Sequence, residues 1–141
     1  MTPFGEALRR LRAERGVTQR QMAKAMGVSP AYLSALEHGQ RSEPSWEFIQ
    51  RAIGYFNIIW DEAEELQRLG SLSRPKVTID TSGLSPKATE IANRLAAHIA
   101  RLDDQTLQEI GNLMDAARLA SGSAGGKETM RRRKEKQAPR T

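Results

Sequence analysis

Thr18-Gln19-Arg20-Gln21-Met22-Ala23-Lys24-Ala25-Met26-Gly27-Val28-Ser29-Pro30-Ala31-Tyr32-Leu33-Ser34-Ala35-Leu36-Glu37 is the stretch on which the fold turns. It holds two short helix patterns separated by Gly27-Val28-Ser29. Thr18 and Gln21 form a capping box, the hydroxyl accepting from the third helical N–H while the amide reaches back. Val17 and Met22 sit where a hydrophobic staple closes that turn. Gly27 supplies the positive φ that reverses the chain. Ser29 caps the second helix and Pro30 takes its first position, where a missing N–H costs nothing. Val28 and Leu33 are the second staple pair. Ala23 is small because the two helices cross closely there. Met22, Met26, Val28, Leu33 and Leu36 then make a core under the turn. Pro30, Ala31, Tyr32, Ser34 and Ala35 are left as a face small enough to enter a DNA major groove.

Working outward, Phe4, Leu8 and Leu11 recur at i, i+4, i+7, which predicts an amphipathic helix ending at Gly16. Beyond Gly39 a fourth helix is expected from about Trp46 to Tyr55, with Trp46, Ile49 and Ile53 inward. Asn57 is read as the cap of a fifth, carrying Ile59, Ala63 and Leu66 on one face. Composition shifts at Gly70, and residues 70–84 read as a linker. Within it Val77-Thr78-Ile79 has the β-branched make-up of a single short strand. Ser85-Pro86 repeats the cap-plus-proline start, and Ile91, Leu95, Ile99 and Leu102 stripe the helix that follows. Asp103 or Asp104 caps a last helix with Leu107, Ile110, Met114 and Ala117 in line. The expected fold is all-α: a five-helix domain over 1–69, the linker, a helical hairpin over 85–120 and a disordered basic tail over 121–141.

Charge is unevenly spread over the 141 residues, whose net value is +5. Residues 1–56 hold eight Lys/Arg against five Asp/Glu, residues 57–120 seven against ten, and residues 121–141 seven against two. A basic front and an acidic middle suit an anionic partner at the front. The run Arg131-Arg132-Arg133-Lys134-Glu135-Lys136 reads as a solvated tail, as a non-specific phosphate-binding arm or as a localisation signal. The absence of cysteine excludes disulfides and thiolate metal sites. His38 and His98 lack the neighbours of a metal site, and Asp61, Glu62, Glu64 and Glu65 suit the start of a helix dipole. Neither a catalytic constellation nor a phosphate-cradling loop is present, so no enzyme and no cofactor is expected. No apolar run nears the ~20 residues of a membrane span, and Met1 to Glu6 lack a signal layout. A cytoplasmic protein is expected.

The register of Thr18-Gln19, Ala23, Gly27-Val28-Ser29, Tyr32-Leu33-Ser34, Leu36-Glu37 and Gly39 resembles the phage-repressor and Cro-like helix-turn-helix family, also called the Xre family. The resemblance covers about residues 4–69. It implies a transcription regulator, in the main a repressor, binding double-stranded operator DNA as a homodimer. By that resemblance Pro30, Ala31, Tyr32 and Ala35 match base-contact positions, and Gln19, Ser34, Gln40 and Arg41 match phosphate contacts. Arg12 and Glu37 match a structural ion pair between the first and third helices. The sequence departs from family members that carry glutamines at the positions of Pro30 and Ala31. Those two side chains offer only apolar contact, so readout leans on Tyr32 and on DNA shape. Dimerisation is assigned to Val77, Ile79, Ile91, Leu95, Ile99, Leu107, Ile110 and Met114, whose stripes need a second copy to bury them. Two other readings stand beside this one: a DNA-binding antitoxin whose acidic half holds a toxin, and a helical interaction adaptor that never meets DNA.

Overall fold

Helix starts are set by side-chain caps along most of the chain. The computed structural model describes residues 1–41 and 43–137, with side chains described as far as Ser121. Thr2 caps α1 (Pro3–Arg15), Thr18 caps α2 (Gln19–Met26), Ser29 caps α3 (Pro30–Glu37) and Ser45 caps α4 (Trp46–Phe56). Each accepts a backbone N–H of the first turn. α5 (Asp61–Ser71) completes a first unit ending at Thr78. The second unit begins at Ile79 and holds α6 (Pro86–His98), a 3-10 turn (Ile99–Arg101) and α7 (Asp104–Gln137). Ser85 caps α6, and the Asp103 carboxylate accepts from Thr106 N at 2.7 Å to start α7.

The core of the first unit comes from all five helices. Phe4 and Leu8 of α1, Met22 and Met26 of α2, Leu33 and Leu36 of α3, Phe48, Ala52 and Phe56 of α4, and Leu66 of α5 are buried together. Phe4 and Phe48 meet edge to face with ring centroids 6.3 Å apart, the preferred aromatic geometry. No described residue of the second unit is buried. Its apolar residues lie half or fully open in the single chain.

Several expectations are corrected. Trp46 does not face inward: it is 68% exposed, because Ser45 is the cap and the buried stripe runs through Phe48, Ile49, Ala52 and Phe56 instead. Asn57 closes α4 rather than opening α5; it sits at φ 53, a left-handed conformation that asparagine tolerates. Ile59 is exposed, and Ile58 takes the buried place. α5 starts at Asp61 with no side-chain cap, and Asp61, Glu62 and Glu64 complement its dipole. Val77-Thr78-Ile79 forms no strand in the single chain, where it has no partner to pair with. α7 is described as far as Gln137, across part of the segment expected to be a disordered basic tail. The reading of residues 138–141 lies outside the described residues.

Candidate nucleic-acid interface

The two central helices are locked at their turn by backbone chemistry. Gly27 sits at φ 71, and the Val28 N–H returns to Ala23 O at 3.0 Å. Ala23 is fully buried at the crossing. Ser29 Oγ accepts from Tyr32 N at 3.0 Å, so the first turn of α3 begins with its donors pointed to a fixed place. Eight residues make too short a helix to persist alone in water, so its position depends on what holds it.

Much of that hold comes from Glu37. Its carboxylate is 1% exposed and pairs with the guanidinium of Arg12, through Nη1 to Oε1 and through Nη2 to Oε2, the second at 3.3 Å. Gln19 Nε2 donates to the same carboxylate at 3.1 Å. The Glu37 carbonyl accepts from Thr2 N at 2.9 Å. Gly5 packs directly under it: a β-carbon there would lie 2.7 Å from Glu37 Cα. Glycine at position 5 is therefore what lets α1 touch α3, a requirement that the helical periodicity of Phe4, Leu8 and Leu11 does not reveal.

Among the site residues expected from sequence, Pro30 and Ala31 are exposed at the start of α3. Tyr32, Ser34 and Ala35 are half-buried. The Tyr32 ring lies against Phe48 at 6.5 Å on one side and carries the Arg41 guanidinium at 5.3 Å. Arg41 is thus stacked beside the helix by a cation–π contact. Gln40 is exposed, with its backbone N–H bonded to Ala35 O at 2.9 Å. Gln19 is half-buried; its amide has two N–H groups, so the bond to Glu37 still permits one to donate to a phosphate. The face is therefore an apolar opening turn bordered by an arginine and glutamines.

The residues assigned to dimerisation are placed in the open. Val77 and Ile79 are 73% and 59% exposed, Ile91 and Ile99 48% each, and Met114 63%, while Leu95, Leu107 and Ile110 are partly covered. Beyond α5 the chain does not leave the first unit at Gly70. Ser73 is buried, accepts from Phe4 N at 2.9 Å and donates to Leu69 O at 2.6 Å. Arg74 Nη2 then meets Glu43 Oε1 at 2.7 Å. A serine in a polar stretch gives no sequence signal of this contact. Among the described residues, none of the helices is long and apolar enough to cross a membrane, and no acid or histidine cluster could hold a metal ion.

A family profile described as a helix-turn-helix domain matches residues 3–69. The HTH-type transcriptional regulator YazB of Bacillus subtilis (strain 168) is 41% identical over 59 residues, 42% of this chain and 84% of that protein. The chain belongs to the Xre-like helix-turn-helix regulators. SinR, an HTH-type transcriptional regulator of the same organism, is 29% identical over 92 residues, 60% of this chain and 83% of that protein. The HTH-type transcriptional repressor RghR, also of Bacillus subtilis, is 50% identical over 44 residues, 31% of this chain. This chain spans 33% of RghR's own length. No solved structure matches. The matched family is one of helix-turn-helix transcription regulators, which bind double-stranded DNA, rather than an enzyme class.

Proposed function

We propose that the protein is a repressor that occupies operator DNA as a homodimer, with α3 in the major groove. The observation that carries this is the exposed opening turn of α3, Pro30 and Ala31, beside the Tyr32–Arg41 stack. Pro30 and Ala31 fit against a thymine methyl, Tyr32 supplies the polar readout through its hydroxyl, and Gln19, Ser34, Gln40 and Arg41 hold the backbone. Repression is favoured by the likeness to RghR, a protein described as a repressor. The dimer is favoured by the open apolar stripes of α6 and α7 and by Val77 and Ile79, which a second copy would cover. It would hold two recognition helices one helical turn, ~34–36 Å, apart.

Footprinting on the DNA upstream of its own gene tests the operator, with a two-fold related protected site as the expected result. Tyr32→Phe keeps the ring packing and removes the hydroxyl; it should relax preference at one base position by ~1–3 kcal/mol. Undiminished discrimination would remove Tyr32 from the reading face. Ile91→Glu together with Leu107→Glu should shift the full chain to monomer in sedimentation and leave the first unit folded. A tight dimer in that variant would refute the assignment of residues 77–114.

A further inference from the structure

We propose that the segment after α5 carries a second phosphate-binding station, formed by Arg74 and Lys76 with Arg41, which grips the DNA backbone beside the half-site read by α3. This rests on the DNA-binding reading and deepens it. Ser73, buried and bonded to Phe4 N, pins the chain against the start of α1. Pro75 then lies against the end of α3, where a β-carbon on Gly39 would be 3.6 Å from Pro75 Cβ. Arg74 and Lys76 are thereby held next to the loop that follows the recognition helix, and they do not trail away as linker residues. The result is an open cleft of about 690 Å³ whose polar walls are Gln40, Arg41, Glu43, Arg74 and Lys76.

The charges in the cleft point to its ligand. Three cations and one carboxylate line it, so it carries a net positive excess without a bound anion. Arg41, stacked on Tyr32, makes the cleft continuous with the face of α3. A nucleic-acid backbone running past that face offers phosphates at regular spacing, which three separated cations match better than a single small anion. Glu43 is the internal stand-in for a phosphate. Its pair with Arg74 is largely open to solvent, with side chains 37% and 57% exposed, and exposed pairs of this kind are weak. A phosphate accepting from the arginine fork displaces it readily, and Glu43 then opposes the DNA. Arg74, Lys76 and Glu43 therefore set affinity without setting sequence preference.

The test is fluorescence anisotropy of the full chain on a labelled random-sequence duplex and on the upstream duplex of its own gene. In Arg74→Ala/Lys76→Ala the slope of log affinity against log salt should flatten by about two units on both duplexes, so that the wild-type advantage shrinks about tenfold between 50 and 200 mM salt. Glu43→Gln should tighten binding to both duplexes alike. Thermal melts of all variants should match wild type, since the substituted side chains are open to solvent. Wild-type affinity and slope in the double variant would overturn the proposal and leave the reading of α3 standing. Failure of the wild-type chain to retain either duplex would overturn both. Inorganic phosphate that competed selectively, at matched ionic strength, with the wild type but not the double variant would make the cleft a free-anion site and refute a backbone role. Indifference to inorganic phosphate is the expected result.

Discussion

Replacing Glu37 by Leu removes the acceptor that ties three elements together. Arg12, whose side chain is 9% exposed, would keep its charge in the interior with only a long 3.9 Å contact to Met22 Sδ. Breaking a buried ion pair from one side costs ~3–5 kcal/mol, because the remaining charge is uncompensated. Gln19 Nε2 also loses an acceptor, but it is half-buried and water replaces it, adding at most ~1 kcal/mol. The expected loss is therefore about 4 kcal/mol, a large share of the ~5–15 kcal/mol that holds a domain together. For a unit of this size that corresponds to a fall in Tm of roughly 15–30 °C. Arg12→Met should do similar damage by stranding the Glu37 carboxylate. Arg12→Met with Glu37→Leu should be milder than either alone, since an apolar pair can replace a buried ion pair at little cost. Urea melts with unchanged slope measure all three variants. Additivity within ~0.5 kcal/mol would show that the two side chains do not act as a pair.

Three further outcomes follow from local geometry. Gly5→Ala puts a β-carbon 2.7 Å from Glu37 Cα and 2.8 Å from its carbonyl carbon, so α1 must move off α3; a loss of ~1–3 kcal/mol is expected in melts, and wild-type stability would refute the contact. Trp60 holds φ 55 and ψ −126 at 81% exposure, so Trp60→Gly should gain about 1 kcal/mol by relieving backbone strain, and a lower Tm would contradict that. The hydrogen bond from Thr106 holds the Asp103 carboxyl below the usual carboxylate range. A depressed native pKa means that this cap supports α7 above the unfolded value of ~3.9 and fails as pH falls through the native one. An NMR titration should place the Asp103 midpoint below that of an unfolded peptide; a midpoint at or above it would refute the cap.

The parts of this fold legible in the sequence are those set by neighbours in the chain. Thr18 with Gln21, Ser29 with Pro30, Ser85 with Pro86 and Gly27 act through hydrogen bonds or dihedral freedom within a few residues, and each marks an end of its helix in the structure. The exposure of Trp46 is not legible in the sequence, because an apolar residue at the first position of a helix fits the periodicity equally well inside or out. Asn57 caps either end by different chemistry, the side chain at one and the left-handed backbone at the other. Gly5 and Ser73 carry no local signature at all, since their roles lie in contacts to Glu37 and Phe4. For the candidate interface, the small-residue face of α3 follows from its pattern. The pairing of Arg12 with Glu37 followed from the family resemblance, for nothing in a spacing of twenty-five residues implies it.

If α3 reads DNA as proposed, these long-range contacts decide how well it can do so. A helix of eight residues gains little from its own hydrogen bonds, so its orientation is set at its two ends. Its start is fixed by the Gly27 turn and the Ser29 cap; its end is fixed by Glu37, through Arg12, Gln19, Thr2 and the close approach of Gly5. Gln19 links the two functions, being bonded to Glu37 while sitting at the N-terminus of α2, where a phosphate would bind. Loosening the Glu37 end would therefore let α3 swing about its start and, on the proposed reading, disperse Pro30, Ala31 and Tyr32 relative to the bases. On the proposed reading, removing Arg41 would subtract one phosphate contact and leave that geometry alone. Arg12→Met/Glu37→Leu, although folded, should accordingly bind random and operator duplexes more nearly alike, whereas Arg41→Ala should weaken both by the same factor and flatten the salt slope by about one unit. Unchanged discrimination in the double variant would mean that the cap and turn alone orient the recognition helix.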